Sequence, residues 1–190
     1  MNLTSDYKVA QLAAAVAEKT KYQHGEVNLQ GTIIGMAQSF AGAGNLPLFV
    51  DSGQFGTRHD NGGDAANARY INTYLRPYTR HIFHKDDMPI LMCQTDEGHK
   101  IEPDVMNPII PTVIVNGQSG IGTGWSTSTP SHHPIDVIDQ LVALIKSGGD
   151  RNALAPMVPW FRWFNGTVAV SNDKRSYTTT GKAVWDEHRR

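Results

Sequence analysis

The sequence of 190 residues holds one cysteine, Cys93. A single thiol excludes a disulfide framework and every cysteine-rich zinc cage, and it fits a reducing compartment. No run approaches the ~20 apolar residues that a membrane-spanning helix needs. The first residues carry no signal-peptide core, because Lys8 and Glu18 flank an alanine-rich amphipathic run. Neither sign of charge prevails. Lys+Arg 17 against Asp+Glu 18 leaves a net charge of -1, which excludes a globally basic nucleic-acid coat and an acidic disordered tail. Length excludes more: the chain makes one large domain or two small ones, too little to house a nucleotide-hydrolysing machine together with a substrate platform.

What is present is enough for a packed, turn-rich fold. Hydrophobic residues make up 39%, with 18 glycines and 10 prolines, so a core is available and low complexity is not indicated. Residues 7–20 predict a helix, with Val9, Leu12, Ala13 and Val16 on one face and Ser5 or Asp6 as cap. Residues 28–41 predict a second, with Leu29, Ile33, Met36 and Phe40 aligned and Gly42 and Gly44 ending it. Gly31 and Gly35 inside it each cost about 1 kcal/mol relative to Ala. They either admit another backbone or are simply tolerated. Two short helices before a Gly-rich connection suit a helix-turn-helix module.

Residues 51–64 read as a loop and 70–75 as a short strand, followed by a helix from Pro77 to about Phe83. Ile90–Cys93 and Lys100–Ile101 bracket Asp96-Glu97-Gly98 as a hairpin or wing. The TVIVN segment (112–116) reads as a strand and 134–146 as an amphipathic helix, with Ile135, Ile138, Leu141, Val142 and Ile145 inward. The GTVAV segment (166–170), a turn at Asn172-Asp173 and SYTTT (176–180) read as β-structure. The change of patterning near residue 108 suggests a domain boundary.

Several chemical motifs fail on inspection. The Gly-rich segment after TVIVN lacks the third glycine of a dinucleotide fingerprint, since Trp125 stands there, and it has no P-loop lysine. A nucleophile elbow on Ser119 fails at Ile121. A tight hairpin whose glycines supply positive φ accounts for it. Eight histidines raise a metal site, but His132 and His133 would point apart on a strand, and His24-x-Glu26 has no accompanying C-x-x-C. Arg69-Tyr70 admits two readings. One is a strand tyrosine packed on the wing. The other is a nucleophile toward phosphorus with a cation at hand.

The ordered blocks KVAQLAAAVAEKTKYQHGE (8–26), TIIGMAQSF (32–40), GQFGTR (53–58), GGDAANARYI (62–71), PIIPTVIVNGQSGIGTGW (108–125) and FNGTVAV (164–170) closely resemble the breakage-reunion region of type IIA DNA topoisomerases. The likeness is to the eukaryotic and large-DNA-virus branch rather than to bacterial gyrase, and it covers roughly residues 8–170. Two positions depart from the family pattern. Ala68 stands where many relatives have the proline of S-P-R-Y, and Gln23 is the second residue of Y-H-H-G-E. Residues 171–190 match no family block.

The resemblance implies an α+β fold: a winged-helix domain over 1–107, then the first part of a tower domain over 108–190. It implies that Tyr70 attacks a phosphodiester and holds the 5′ end, and that Arg69, His24 and Arg58 assist at the scissile phosphate. Ile121 would wedge between base pairs, with Lys8 and Gln54 as further DNA contacts. The partners implied are double-stranded DNA and a second copy of the full-length protein, with no membrane. Mg²⁺ and ATP would be bound by Toprim and ATPase domains absent from this chain, in cis or as a partner protein. The implied location is nuclear, or a viral factory in a host cell. A non-enzymatic winged-helix DNA-binding module with vestigial catalysis is the alternative. With balanced charge, a basic DNA face would be offset by acids elsewhere, such as Asp86, Asp87, Asp96 and Glu97.

Overall fold

Helices alternate with small antiparallel hairpins, an α+β arrangement, in a computed structural model that describes residues 5–172 and 176–185. The order is β1 (Tyr7–Lys8), α1 (Val9–Thr20), α2 (Glu26–Ala37), β2 (Asn72–Thr73), α3 (Thr79–Ile82), β3 (Cys93–Asp96) and β4 (His99–Pro103). Then come α4 (Thr112–Asn116), β5 (Gln118–Gly122), β6 (Trp125–Thr129), α5 (Pro134–Lys146), β7 (Thr167–Val170) and β8 (Tyr177–Thr180). The strands pair as β1-β2, β3-β4, β5-β6 and β7-β8, all antiparallel.

Helix α1 buries Val9, Leu12 and Ala13 against Ile33 and Ala37 of α2. Phe55, Ala68 and Ile71 complete this first core. Full burial of a Leu or Ile side chain contributes roughly 1.5–3 kcal/mol, so these few residues dominate the local energetics. The expected cap at Ser5 or Asp6 does not form. Lys8 is the N-cap and makes no side-chain bond. The first helical N–H groups go elsewhere: Val9 N donates to Ile71 O at 3.0 Å and Ala10 N to Ala68 O at 3.1 Å. A long-range contact thus replaces the local cap.

Helix α2 ends at Ala37, before Gly42 and Gly44. Phe40 lies beyond it. The stop comes from Gln38, whose side-chain amide donates to Phe55 O at 2.8 Å and Gly62 O at 3.2 Å. Leu48 N and Phe49 N meanwhile take up the Met36 carbonyl. Gly31 and Gly35 face open space, with nothing within 4 Å of a Cβ placed there. They are tolerated on the surface and admit no backbone of this chain. Of the expected strand 70–75, only Asn72–Thr73 pairs regularly. The chain around it bridges to 49–52 on its other side, through Phe49 and Leu75 and through Ser52 and Asn72.

A second core joins Ile82, Ile110, Val115 and Val137, with Leu46, Leu48, Tyr78 and Leu141 at its margin. It draws on residues from both sides of position 108. The TVIVN segment is helix α4, not a strand. Its β-branched residues follow Pro111, whose carbonyl accepts from Ile114 N and Val115 N, and Val115 is driven into the core. Burial overrides strand propensity here. Gly117 then takes φ 72°, and a Cβ there would come within 2.9 Å of Thr129 O. The wing hairpin forms two to three residues later than expected, because 85–90 coils into a 3-10 turn. Helix α5 has the expected bounds, but its inward face is different. Val137 and Leu141 face the core, while Ile135, Ile138, Val142 and Ile145 are largely exposed. His132 and His133 are not on a strand. His132 is buried with N donating to Ile114 O at 3.0 Å, and the His133 ring caps α5 through Ile135 N at 3.3 Å. The β7-β8 hairpin forms as expected, and Asp173 of its turn lies outside the described residues.

Buried Asn45 ties the second core together. Its amide donates to Val115 O at 3.0 Å, His132 O at 3.1 Å and Trp160 O at 2.8 Å, and its oxygen accepts from Arg162 N at 2.9 Å. Removing it leaves several buried groups unsatisfied, at ~1–3 kcal/mol each before relaxation. Asn45→Ala should therefore lower unfolding free energy by roughly 2–4 kcal/mol in urea denaturation. A loss under ~1 kcal/mol would mean that water takes over these bonds.

Candidate active site

Ala68 and Ile71 point into the first core at 5% and 2% exposure. Their carbonyls are also held by the first turn of α1. The two residues between them are left to face outward: Tyr70 is 71% exposed. The intervening backbone is tightened by an Asx turn. Asn67 Oδ1 accepts from Arg69 N at 3.2 Å and Asn67 O from Tyr70 N at 2.8 Å. The result is an exposed phenol on a mount fixed at both ends. The Arg69 guanidinium lies over the Tyr70 ring, 4.8 Å from its centroid, a cation–π geometry that keeps a positive charge beside the hydroxyl-bearing ring. Tyr70 is thus not packed on the wing. Lys8 is exposed and pairs in register with Asn72, which sets it at the edge of the same loop.

Arg58 opens a 3-10 turn, Arg58–Asp60, in a loop held by close backbone approaches. Gly56 takes φ 99°, and a Cβ there would lie 2.6 Å from Gly62. The Asp64 carboxylate accepts from Thr57 N at 2.6 Å and Thr57 Oγ1 at 2.7 Å. These two bonds, the backbone one first, hold the Asp64 carboxyl below its ordinary pKa. Gln54 is exposed and accepts from Gly56 N at 3.1 Å, so its side chain braces the loop. Arg58 itself borders a cleft shared with Phe161, Arg162 and Phe164.

His24 lies in the connection between α1 and α2, edge-on to Tyr22 at 5.5 Å between ring centroids. It lines a cavity of about 520 Å³ with Lys21, Gln94, Asp96 and Glu102 of the wing side. Its neighbours are therefore wing residues, whereas those of Tyr70 are Arg69 and Asn67. Ile121 is 95% exposed on the β5-β6 hairpin, and Trp125 is 82% exposed beside the turn. Strand alternation sets them on opposite faces, Ile121 with Ser126 and Trp125 with Gly122. Sequence reasoning passed over Arg162, Trp163 and Asn45. Only the WFRWF run (160–164) hinted at the first two, and a lone asparagine carries no signal. Among the described residues, no three His, Cys, Asp or Glu side chains converge as a metal cage, and no helix is long and apolar enough to cross a membrane.

A fixed, outward tyrosine with an arginine over its ring and an exposed apolar hairpin tip is an arrangement for covalent work on a polyanion. The family model for the tyrosine-bearing chain of DNA gyrase/topoisomerase IV matches residues 1–189. The chain belongs to that family. It is 49% identical over 94% of its length to a mitochondrial DNA topoisomerase 2 of Dictyostelium discoideum, of which it covers 14%. It is 45% identical over 98% of its length to DNA topoisomerase 2 of Penicillium chrysogenum, of which it covers 12%. The crystal structure of the Plasmodium falciparum topoisomerase II DNA-binding, cleavage and re-ligation domain superposes with a TM-score of 0.85 at 46% identity. That match covers 94% of this chain and 24% of that one. The chain thus spans about one seventh or less of the curated relatives it matches.

The depressed Asp64 carboxyl gives the Arg58 loop a defined pH response. A carboxyl lowered in the folded state stabilises the fold above its unfolded pKa, and that contribution is lost as pH falls through the folded value. Hydrogen-exchange protection of Thr57 N–H should therefore hold from neutral pH to about pH 4 and fall below it. Asp64→Asn should reduce protection at neutral pH and remove the acid step. An acid step persisting in Asp64→Asn would assign it to another carboxyl.

Proposed function

We propose that this chain is the tyrosine-bearing part of the cleavage machinery of a type II DNA topoisomerase. The observation that carries the reading is the exposed Tyr70, clamped between buried Ala68 and Ile71 with Arg69 over its ring. In the reaction, the Tyr70 phenol oxygen attacks a DNA phosphorus and forms an O–P bond. The bond from phosphorus to the 3′ oxygen breaks, the phenol proton passes to a base, and the 3′ oxygen takes up a proton. The 5′ end stays on the protein as a phosphotyrosine. Transesterification conserves the bond, so the reverse attack by the 3′ hydroxyl reseals the strand without a high-energy cofactor.

Arg69 is positioned to offset charge on the phenolate and on the equatorial phosphoryl oxygens, where it counts most in the transition state. Arg58 and His24 are assigned to the same phosphate, brought to it when DNA and the remaining domains close on this chain. Lys8 and Gln54 would contact the DNA backbone. Exposed Ile121 suits a wedge: unstacking a base step costs a few kcal/mol and is offset by the added contacts of a bent duplex. Mg²⁺, when bound, supplies Lewis-acid stabilisation of the phosphoryl group. We assign that ion and the ATP that drives strand passage to Toprim and ATPase domains outside this chain. Two full-length copies would each cut one strand of a duplex. We further assign 1–107 to a winged-helix domain and 108–190 to the start of a tower. The compartment would be nuclear, or a viral factory if the source is viral.

With a Toprim-bearing partner, Mg²⁺ and supercoiled DNA, the chain should yield protein-linked linear DNA after denaturation. Tyr70→Phe should abolish the covalent product while still shifting DNA in a gel. Arg69→Ala should lower the cleavage rate by about 10²–10³-fold. Normal cleavage by Tyr70→Phe refutes the nucleophile. A gel shift with no covalent product from the unaltered chain makes it a binding module only. Ile121→Ala should reduce duplex bending, read as a smaller drop in end-to-end distance by energy transfer between end-labelled dyes. Equal bending would remove Ile121 from the wedge role.

A further inference from the structure

Arg58 is the common wall of two adjoining cavities. One, of about 260 Å³, is completed by Ala41, Gly42, Phe161, Arg162, Phe164 and Thr179. The other, of about 210 Å³, is completed by Trp163, Phe164, Asn165, Gly166, Gly181 and Lys182. Among the described residues, three cations and no carboxylate line the pair. The one carboxylate drawn to this loop, that of Asp64, is engaged by Thr57. In a chain with net charge -1, this is a local concentration of positive charge.

The far wall is held in a conformation that packing alone does not explain. Trp163 has φ 66°, a left-handed backbone that costs a bulky residue ~1–2 kcal/mol. Its ring is nevertheless 62% exposed. Its indole N–H donates to Ser39 O at 3.0 Å, and the Arg162 guanidinium stacks on it at 5.0 Å from the centroid. Arg162 N is in turn anchored on Asn45. A strained, exposed tryptophan that steadies an arginine fork at a basic cleft is a device for presenting that fork. Planar guanidinium groups match phosphate bidentately.

We propose that the Arg58–Arg162–Lys182 cleft seats a backbone phosphate of duplex DNA away from the scissile one. The DNA bed would then extend from the tyrosine loop, across Arg58, to the segment 161–166 and the end of the β7-β8 hairpin. This rests on the DNA-cleaving reading above. It adds Arg162 and Lys182 as DNA-binding residues, and Trp163 as a positioning residue acting through Arg162.

The test measures affinity of the chain for an end-labelled duplex by fluorescence anisotropy across a KCl series. Each phosphate contact contributes ~0.9 to the slope of log K against log salt. Arg162→Ala with Lys182→Ala should lower that slope by ~1.8. Arg162→Lys should keep the slope, and Lys146→Ala, on the far end of α5, should leave it unchanged. Should the double variant unfold, Lys182→Ala alone, at an exposed position, should remove ~0.9. Salt-dependent duplex binding by the unaltered chain with an unchanged slope in Lys182→Ala and the double variant overturns the cleft and leaves the cleavage reading standing. Equal slope losses from Lys146→Ala and Lys182→Ala overturn it as well, since the charge would then act only globally. No salt-dependent duplex binding by the unaltered chain overturns the DNA reading and the cleft together.

Discussion

The Asn45 side chain is the interaction on which the second half of the structure depends. It is buried, uses both its amide and its oxygen, and reaches three carbonyls and one N–H from segments 70 to 117 residues away. Next to it, the Asn116 side chain pairs with both polar backbone groups of Leu46, accepting at 2.8 Å and donating at 3.3 Å. Two asparagines thus act as substitute backbone, satisfying groups that no sheet ladder reaches. This matters because the described strands occur only in pairs, and a two-stranded ribbon is marginal on its own. The clasp lets irregular segments 45–49, 115–117, 131–133 and 160–162 behave as one body.

The tyrosine mount likewise puts one set of bonds to two uses. A helix N-terminus leaves N–H groups without partners, and α1 donates two of them to carbonyls that flank Arg69-Tyr70. One pair of bonds therefore caps the helix and fixes the reactive loop. Ala68 gains meaning in this setting. It is a small buried residue whose carbonyl accepts from Ala10, so the stiffness that many relatives obtain from a proline is supplied here by packing and a hydrogen bond. The basic cleft follows a related logic, since Asn45 anchors the backbone of Arg162 while Trp163 steadies its side chain.

The exposed apolar residues fall into kinds with different physical origins. Ile121 and Trp125 stand on a narrow hairpin that has no opposite layer to bury them. Ile135, Ile138, Val142 and Ile145 form a stripe along α5 opposite Val137. The stripe is the stronger periodic signal, yet the core takes the other side of the helix. Amphipathic periodicity reports that a face is apolar, not which surface covers it.

Much of the architecture was legible from residues alone. The α5 bounds, the β7-β8 hairpin, the Gly-rich hairpin after residue 117 and the first helix pair follow from periodicity and glycine placement. The tyrosine, its arginine and the exposed isoleucine were legible through ordered sequence blocks. Where prediction failed, a distant partner had outcompeted a local preference. TVIVN became a helix because Val115 had a core to fill. The caps at Ser5 or Asp6 gave way to the distant carbonyls of Ala68 and Ile71. Gln38 stopped α2 before its glycines could. By itself the sequence determined which segments are helical or extended and which side chains carry chemistry, since both are local properties of residue type and spacing. Only the tertiary structure decided that Tyr70 faces out, that Arg58 meets Arg162, and that His24 meets the wing, because each depends on contacts between residues far apart in the chain.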